Sequence, residues 1–574
     1  MSNRQVRLSL SIIISCVLAI LIIGPLVALI GQTLVGQSPL QLWTQLTHST
    51  NRVSIQHSLF LGGGTVIGTT LLATPLAWIM TRTRLTKLPW LHWLLLVPFM
   101  TPPYINAMGW LYFFQPHGLL AQLNPSWHHQ FQWLFSPFGM IVIMSLHLYP
   151  VAYLGLRTAL TQFNQRWLQA AEVHGVSIWR QLARITVPIM LVPYLAVWIL
   201  VFTKTLAEFG TPATFGRSIH FEVLTTTIQK DLSQWPLDFQ NGVLTGTLLL
   251  TIALIAWGAQ QWLLRRPAVK FTGQRSAPQY QHPGVTALAS TFATTVIGIA
   301  IILPYSAIVL QSLLKQRSLG WSLSNLTLAH YLDLLRFDSP AWQAIITTVG
   351  LALLISSLNV IVGLFLSVGS LTKHFPKWLR RLCYTLGALP LAIPNVVLAL
   401  SLMMLFSQVL AFTKLYGTLT IILIADVTLF LPTTVQYLTT ALKAFDSELL
   451  ASARIFEPSF GRIILKIALP ILWPALLNSF VMAFIATSRE LVVALLLLPS
   501  GMTTVSTFIY QSFEQGEAAA GMALAVVTVV LTFIGLIGAN RLHSVDKRVV
   551  ASEPVSKRHQ SALEPTVANN KGQL

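Results

Sequence analysis

Charged residues are scarce in this chain of 574 residues. They make up 9% of the sequence, whereas hydrophobic residues make up 54%. Soluble globular domains are about one quarter charged, so this scarcity excludes an ordinary soluble domain. Uninterrupted apolar runs of the roughly 20 residues needed to cross a bilayer recur along the chain. Most of the chain is therefore predicted to lie in lipid.

Cysteine is also scarce, since Cys16 and Cys383 are the two that the chain contains. Both lie in apolar runs, which excludes a disulfide framework and a thiolate metal cluster. The apolar run around Cys16 continues to Leu34. This length predicts an uncleaved first membrane span and not a signal peptide.

Motifs for chemistry are missing. The nearest approach to a phosphate loop is Gly63 followed by Gly68-Thr69-Thr70, which lacks the lysine that contacts phosphates. Gly64 and Gly68 are better interpreted as a small-residue face for helix packing. No nucleophile–base pair or paired carboxylates stand out, so we predict no catalytic, cofactor-binding or metal-binding residues.

Three histidines in one predicted outer loop are the strongest metal-site alternative. They are accompanied by no nearby carboxylate or thiolate, which favours a solvated loop over a metal site. These residues are His117, His128 and His129.

The formal net charge of +19 is large. The basic residues form short clusters between apolar runs, with no aromatic-interleaved patch, so we predict no nucleic-acid partner. Membrane proteins keep positive charge in their cytoplasmic loops, which explains the excess of basic over acidic residues.

The apolar runs predict an all-α polytopic membrane protein with about twelve spans. Helices are expected because backbone in lipid must satisfy its hydrogen bonds within its own segment. The predicted spans are 9–34, 54–80, 89–113, 136–160, 188–210, 240–264, 286–314, 342–370, 380–408, 416–441, 470–498 and 515–541.

The lysines and arginines predict the orientation. With the N-terminus inside, 27 of the 36 lie on the cytoplasmic side and seven lie in outer loops. This asymmetry in short loops predicts a plasma-membrane protein with both termini in the cytoplasm.

The two sets of six spans repeat each other. Pro98 and Pro102 in the third span match Pro390 and Pro394 in the ninth, and other prolines match at similar offsets. Six spans followed by six in the same orientation form a parallel repeat. We predict a first domain at 1–264, a linker at 265–285, a second domain at 286–541 and a disordered cytoplasmic tail at 542–574.

A repeated stretch follows the fourth and tenth spans. In the first copy, Ala170 and Ala171 are small, so another surface can approach closely, and Gly175 lets the chain turn. Pro188 then suits the first turn of the next span. The pattern predicts a short helix, a break and a second helix leading into the membrane.

This stretch resembles the EAA loop of ATP-binding cassette importer permeases. The first copy has Gln169-Ala170-Ala171, Gly175 and Ile185-Thr186-Val187-Pro188 at the family's spacing, with Gln169 replacing glutamate. The second copy has Ala451-Ser452-Ala453 and Ile467-Ala468-Leu469-Pro470. Glu457 replaces the glycine there, but Pro458 follows it and also disfavours a continuous helix.

The proline motifs, with Ala207-Glu208-Phe209-Gly210 and Arg489-Glu490-Leu491, resemble fused, double-length permeases of the ferric-iron type. The resemblance implies a type I importer fold made of two parallel six-helix repeats. It implies a transport subunit without its own ATPase site, two partner ATPase subunits that carry ATP-Mg, and an extracytoplasmic solute-binding protein. It implies ferric iron as substrate, with thiamine or an aminoalkylphosphonate as alternatives. The docking residues would be Gln169, Ala170, Ala171, Gly175, Ala451, Ser452, Ala453 and Glu457.

Ionisable residues within predicted spans are costly, so each is a functional candidate. Two explanations remain open: they line the translocation path, or they pair structurally across the repeat, for instance Lys204 or Arg489 with a carboxylate. The candidates are Lys204, Glu208, Asp426, Arg489 and Glu490, with His147 as a weaker case.

Two rival classes remain. A twelve-span secondary transporter would share the parallel halves, but it would need no docking motif after the fourth span. A membrane enzyme would need a clustered polar site, which the sequence does not show.

Overall fold

The computed structural model describes residues 3–34, 44, 49–164, 166–264, 283–320, 322–372, 375–444 and 469–551. We number the helices within these ranges in chain order. The first half contains α1 (Asn3–Leu34), α2 (Ser49–Arg82), α3 (Pro89–Leu94), α4 (Val97–Met100), α5 (Pro103–Phe114), α6 (Leu119–Leu123), α7 (Pro125–Gln130), α8 (Pro137–Gln162), α9 (Arg166–Val173), α10 (Ile178–Gln181), α11 (Val187–Ala207), α12 (Gly210–Phe215), α13 (Leu224–Ser233) and α14 (Phe239–Leu264).

The second half repeats this order. It contains α15 (Pro283–Ile297), α16 (Leu303–Leu313), α17 (Ala329–Asp333), α18 (Pro340–Leu371), α19 (Lys377–Ala388), α20 (Asn395–Met404), α21 (Leu419–Ala444), α22 (Leu469–Ser488), α23 (Val492–Leu497), α24 (Val505–Gln515) and α25 (Ala518–Ala551). Within the described ranges, Leu314 and Leu326 form an isolated antiparallel β-bridge, and no β-strand is present. The all-α prediction is confirmed.

Ten of these helices, counting segments joined without a break, are long and apolar enough to span a membrane. The predicted third and ninth spans are not straight helices. The ninth is Lys377–Ala392 followed by Asn395–Val409, bent by 113° at Pro394. The third is divided into α3, α4 and α5. Proline lacks a backbone N–H and clashes with the preceding turn, so the matched prolines break both segments at equivalent positions.

The predicted fifth and eleventh spans end earlier than expected. Their helices stop at Ala207 and Ser488. Glu208 then follows in extended backbone, and Glu490 follows in a short segment without helix. Short helices α12 and α23 then begin. The prediction missed these ends because apolar residues resume directly after each glutamate, so mean hydropathy continues the span.

The predicted fifth span also begins earlier, because its helix already starts at Ile178. Leu182–Thr186 forms a π-helical turn, in which the Val187 N–H donates to the carbonyl of Leu182. This wider turn accommodates Pro188, which has no N–H to donate and would crowd a regular α turn.

The two halves exchange their first spans. Helix α1 packs on α20 of the second half, and α16 packs on α5 of the first half. Helices α2 and α8 form the most extensive helix pair of the first half, and α18 and α21 form the matching pair of the second. Each of the two largest apolar cores therefore contains residues from both halves.

The linker and tail predictions fall mainly outside the described residues, at 265–282 and 552–574. Helix α25 continues to Ala551, beyond the predicted end of the last span at 541. The sequence Leu542–Val550 contains no glycine or proline, so nothing in it forces the helix to end.

The glycine face predicted in the second span is present. A Cβ atom added at Gly64 would lie 2.3 Å from Ile141 Cδ1, and one at Gly68 would lie 2.2 Å from Ser145 Oγ. Gly63, on another face of α2, has no atom within 4 Å of such a Cβ. These small residues let α2 and α8 pack closely, as in other membrane helix pairs.

We predict that Gly68→Leu destabilises the chain and Gly63→Leu does not. Overpacking of a close contact costs about 1–3 kcal/mol, whereas the Gly63 side chain would enter open space. The measurement is the thermal unfolding midpoint of each purified variant in detergent. Equal midpoints for the two variants would contradict the assigned packing face.

Candidate functional site

The first docking stretch forms a helical hairpin. Helix α9 ends at Val173, and Gly175 adopts a left-handed conformation with φ of +69°. The Val176 N–H donates to the Ala171 carbonyl at 2.9 Å, and the Gly175 N–H donates to the Glu172 carbonyl at 2.9 Å. These two bonds define a Schellman C-cap, in which glycine is favoured because it adopts positive φ without strain.

One face of α9 is packed and the other is exposed. Leu168 joins a small core formed by the adjacent ends of α8 and α11, and Ala171 is buried. Gln169, Ala170 and Gly175 are exposed, and the apolar side chain of Val173 is 85% exposed. Because α9 lies outside the candidate spans, this exposed face is available to contact another protein.

The hairpin leads directly into a long helix. The segment Trp179–Ala207 is one candidate span of 29 residues that includes the π turn. At about 1.5 Å per residue, such a helix is roughly 43 Å long. The docking stretch and the residues around Lys204 therefore lie at opposite ends of one helical segment.

The second docking stretch lies outside the described residues. This applies to Ala451, Ser452, Ala453 and Glu457. The described chain resumes at Leu469, where α22 begins, with Pro470 in its first turn. As in the first half, proline thus lies close to the entry into the span.

Four of the five path candidates line a single cavity of about 240 Å³. They are Lys204, Glu208, Arg489 and Glu490. The broken third, fifth and eleventh spans all contribute to the cavity wall, as do His147 of α8 and Asn395 at the start of α20. A Cβ atom added at Gly210 would lie 2.5 Å from the Tyr104 backbone nitrogen, so a side chain there would prevent this approach.

Glu208 and Glu490 occupy equivalent positions and satisfy backbone groups at the helix breaks. Glu208 Oε1 accepts from the Thr211 N–H at 2.7 Å. Glu490 Oε1 accepts from Val492 N–H at 3.0 Å, and its Oε2 accepts from the N–H groups of Val493 and Ala494 at 2.9 and 3.2 Å. Backbone donors freed at a helix start are thus paired with carboxylate oxygens.

The backbone carbonyls of the two glutamates are also held equivalently. Thr225 Oγ1 donates to the Glu208 carbonyl at 3.0 Å, and Ser506 Oγ donates to the Glu490 carbonyl. Asn395 Nδ2 donates to Glu490 Oε1 at 3.1 Å. These polar partners were missed by the sequence reasoning. Asn395 directly follows the matched Pro394. A polar residue next to a matched proline in an apolar span is the sequence signal that could have identified Asn395.

Arg489 joins the two halves through carbonyl oxygens, and no carboxylate of the described residues pairs with it. Its Nη1 donates to the carbonyl of Met100 at 2.9 Å and more weakly to that of Phe99 at 3.5 Å. These carbonyls lie at the C-terminal end of α4, where a cation is favourable. Among the described residues, Lys204 makes no hydrogen bond or ion pair, and its side chain is exposed in the cavity.

Asp426 lies close enough to Glu490 for the two carboxylates to interact electrostatically, but it is not part of the cavity wall. It is buried in α21, and its Oδ1 has no hydrogen-bond partner within the described chain.

In the predicted histidine loop, His117 contacts Gln122 and His129 contacts Gln132. Within the described ranges, no group of three or more His, Cys, Asp or Glu side chains is placed to hold a metal ion.

The halves also meet beyond the cavity. Arg217, which follows α12, donates to Glu514 of α24 at 2.9 Å. Both side chains are in contact with solvent, so the pair is expected to contribute little to stability, about 0–1 kcal/mol. Such a weak contact between the halves can be broken at low cost.

Comparison with known proteins gives a family and several relatives. The profile of the binding-protein-dependent transport system inner membrane component matches residues 73–268 and again residues 359–544. A ferric transport system permease protein of Actinobacillus pleuropneumoniae is 23% identical over 508 residues, which are 85% of this chain and 72% of the relative.

Two further relatives carry provisional names. A Haemophilus influenzae protein named as a ferric transport system permease is 24% identical over 492 residues, covering 82% of this chain and 72% of the relative. A Salmonella typhi protein named as a 2-aminoethylphosphonate transport system permease is 27% identical over 262 residues, covering 45% of this chain and 96% of the relative.

We predict that Glu490→Gln is more destabilising than Glu208→Gln. A glutamine at 490 offers one acceptor oxygen where the carboxylate accepts four hydrogen bonds, so it leaves N–H groups of α23 unpaired at about 1–3 kcal/mol each. A glutamine at 208 can still accept from Thr211. Thermal unfolding of the two purified variants compares these matched positions. A lower midpoint for Glu208→Gln would contradict the assigned roles.

Proposed function

Because this chain belongs to the binding-protein-dependent transport system inner membrane component family, whose profile matches both halves, we propose that its two halves together form the membrane-spanning permease of an ATP-driven importer. The chain is a fused, double-length permease. The observation that carries the mechanism is the continuous helix from the exposed Gly175 hairpin to the cavity containing Lys204 and Glu208.

Two ATPase subunits would dock on the chain, one on each repeat. The first would contact Gln169, Ala170 and the exposed Val173, with Gly175 fixing the shape of the hairpin. The second would contact the equivalent stretch at Ala451, Ser452, Ala453 and Glu457. ATP and Mg²⁺ would bind to these partners, and this chain would carry no cofactor and perform no hydrolysis.

ATP would act through the two docking stretches. Closure of the ATPase subunits would draw the stretches together, and each would move the long helix that follows it. Since α11 and α22 end at the cavity, their movement would change the contacts between the halves there. The carbonyl contacts of Arg489 and the exposed Arg217–Glu514 pair are supporting examples of such contacts.

Ferric iron is the proposed solute. This proposal is supported by the two relatives named for ferric transport, each of which matches more than four fifths of this chain. An aminoalkylphosphonate is the alternative, supported by the relative that matches about half of it. A solute-binding protein outside the membrane would deliver the solute to the outer face.

The proposed setting is a bacterial plasma membrane with both termini in the cytoplasm. The excess of lysine and arginine in the segments on that side supports this orientation. The proposed division into domains at 1–264 and 286–541, joined by the linker at 265–285, agrees with the spacing of the two profile matches.

We predict that Gly175→Val abolishes ATP-driven uptake while the protein still inserts. A β-branched residue is strained at φ of +69°, so the hairpin would change shape although a Cβ atom there meets nothing within 4 Å. Gly175→Asn should retain most uptake because asparagine tolerates this conformation. The assay is uptake of ferric iron from its binding protein into proteoliposomes containing the ATPase subunits.

The control is Gly31→Val, in which bulk is added at an open position of α1 with an ordinary backbone. Normal uptake by Gly175→Val would refute the coupling role of the hairpin. Uptake driven by a proton gradient, without ATP or the ATPase subunits, would instead identify a secondary transporter.

A further inference from the structure

The cavity between the halves presents an unequal set of charges to its interior. Lys204 is exposed, whereas Glu208 and Glu490 are only 9% and 7% exposed. Glu490 is held by three backbone N–H groups and by Asn395, and Glu208 by the Thr211 N–H. The charge that an entering solute meets most directly is therefore the Lys204 ammonium.

A second cation lies on the same wall. Arg489 is half-buried and donates from Nη1 to two neutral carbonyls. Such bonds orient the guanidinium but leave its positive charge without an anionic partner. Arginine and lysine together are well suited to oxyanions, since both offer several N–H donors and neither accepts a hydrogen bond.

Unpartnered polar atoms give independent evidence for a ligand. The hydroxyl of Tyr104 and the Nδ1 atom of His147 are buried, and neither has a hydrogen-bond partner among the described residues. Both residues line this cavity. Buried polar groups are normally hydrogen-bonded, so groups left unpaired at a cavity indicate a missing partner. Glu208 Oε2 is a third such atom, and the carboxylates of Glu208 and Glu490 both oppose an anion in this cavity.

We propose that the cavity is a contact point for the anionic oxygen atoms of the solute, with Lys204, Arg489 and the Tyr104 hydroxyl as donors. This inference rests on the proposed function, in which the cavity belongs to the translocation path. It narrows the solute to one that carries a phosphonate, phosphate or similar oxyanion group. Ferric iron would pass this point with an oxyanion ligand and not as a bare cation.

Amine labelling of Lys204 tests this proposal on the purified full chain in a neutral detergent, which supplies no lipid phosphate. Inorganic phosphate and 2-aminoethylphosphonate should each slow the acetylation of Lys204 at least threefold, measured by peptide mass spectrometry. Chloride at equal ionic strength and the cation thiamine should not. Lys414, an exposed residue outside the cavity, is the internal control.

Tyr104→Phe supplies a second test that removes one unpartnered hydroxyl. It should raise the phosphate concentration for half-protection of Lys204 by about tenfold or more, the loss expected for a hydrogen bond to a charged group. Tyr112→Phe, a buried tyrosine outside the cavity, should leave that concentration unchanged. The unfolding midpoints of both variants show whether they remain folded.

The two proposals can fail separately. Equal protection by chloride or thiamine, or no protection by phosphate, would overturn the oxyanion site even if ATP-driven uptake is observed. Protection by phosphate in a chain that shows no ATP-driven uptake would leave the oxyanion site standing and would overturn the proposed function.

Discussion

Backbone groups freed at helix breaks inside the membrane must find partners within the protein, and the architecture depends on this constraint. Lipid offers no hydrogen bonds, so an interrupted span is tolerated only where protein groups or a cavity satisfy its ends. Glu490 pairs the N–H groups that begin α23, and Arg489 pairs the carbonyls that end α4. The charged residues at these breaks thus stabilise them and also line the cavity that the breaks create.

This dual role connects the two explanations that the sequence left open for the intramembrane charges. Glu208 and Glu490 are held by backbone N–H groups, and Arg489 crosses between the halves to carbonyl oxygens. The same residues, with Lys204, line one cavity. The same charged residues can therefore pair with backbone groups and face a solute, because the helix breaks lie at the cavity.

Much of this fold follows from patterns that act locally. Hydropathy predicts the positions of most spans, the matched prolines mark the broken ones, and Gly175 predicts the turn of the first docking stretch. The ends of the fifth and eleventh spans could not be predicted in this way. They depend on Glu208 and Glu490 pairing with residues that follow, and hydropathy contains no information on such contacts.

The sequence predicted which residues belong to the site but not which groups they contact. A rule that intramembrane charges are functional candidates selected Lys204 and Arg489, yet it suggested carboxylates as their partners. The carbonyl partners of Arg489 lie nearly 400 residues away, and the role of Asn395 depends on how the halves meet. Such pairings arise from tertiary packing, which no short stretch of sequence specifies.

In the proposed mechanism, ATP bound outside this chain changes how its halves meet. Spin labels at Ser218 and Gln515, two exposed residues adjacent to the Arg217–Glu514 pair, report on this contact directly. In the complex with its ATPase subunits, we expect a longer label-to-label distance with ATP and Mg²⁺ than without nucleotide. An unchanged distance under conditions that support uptake would contradict it.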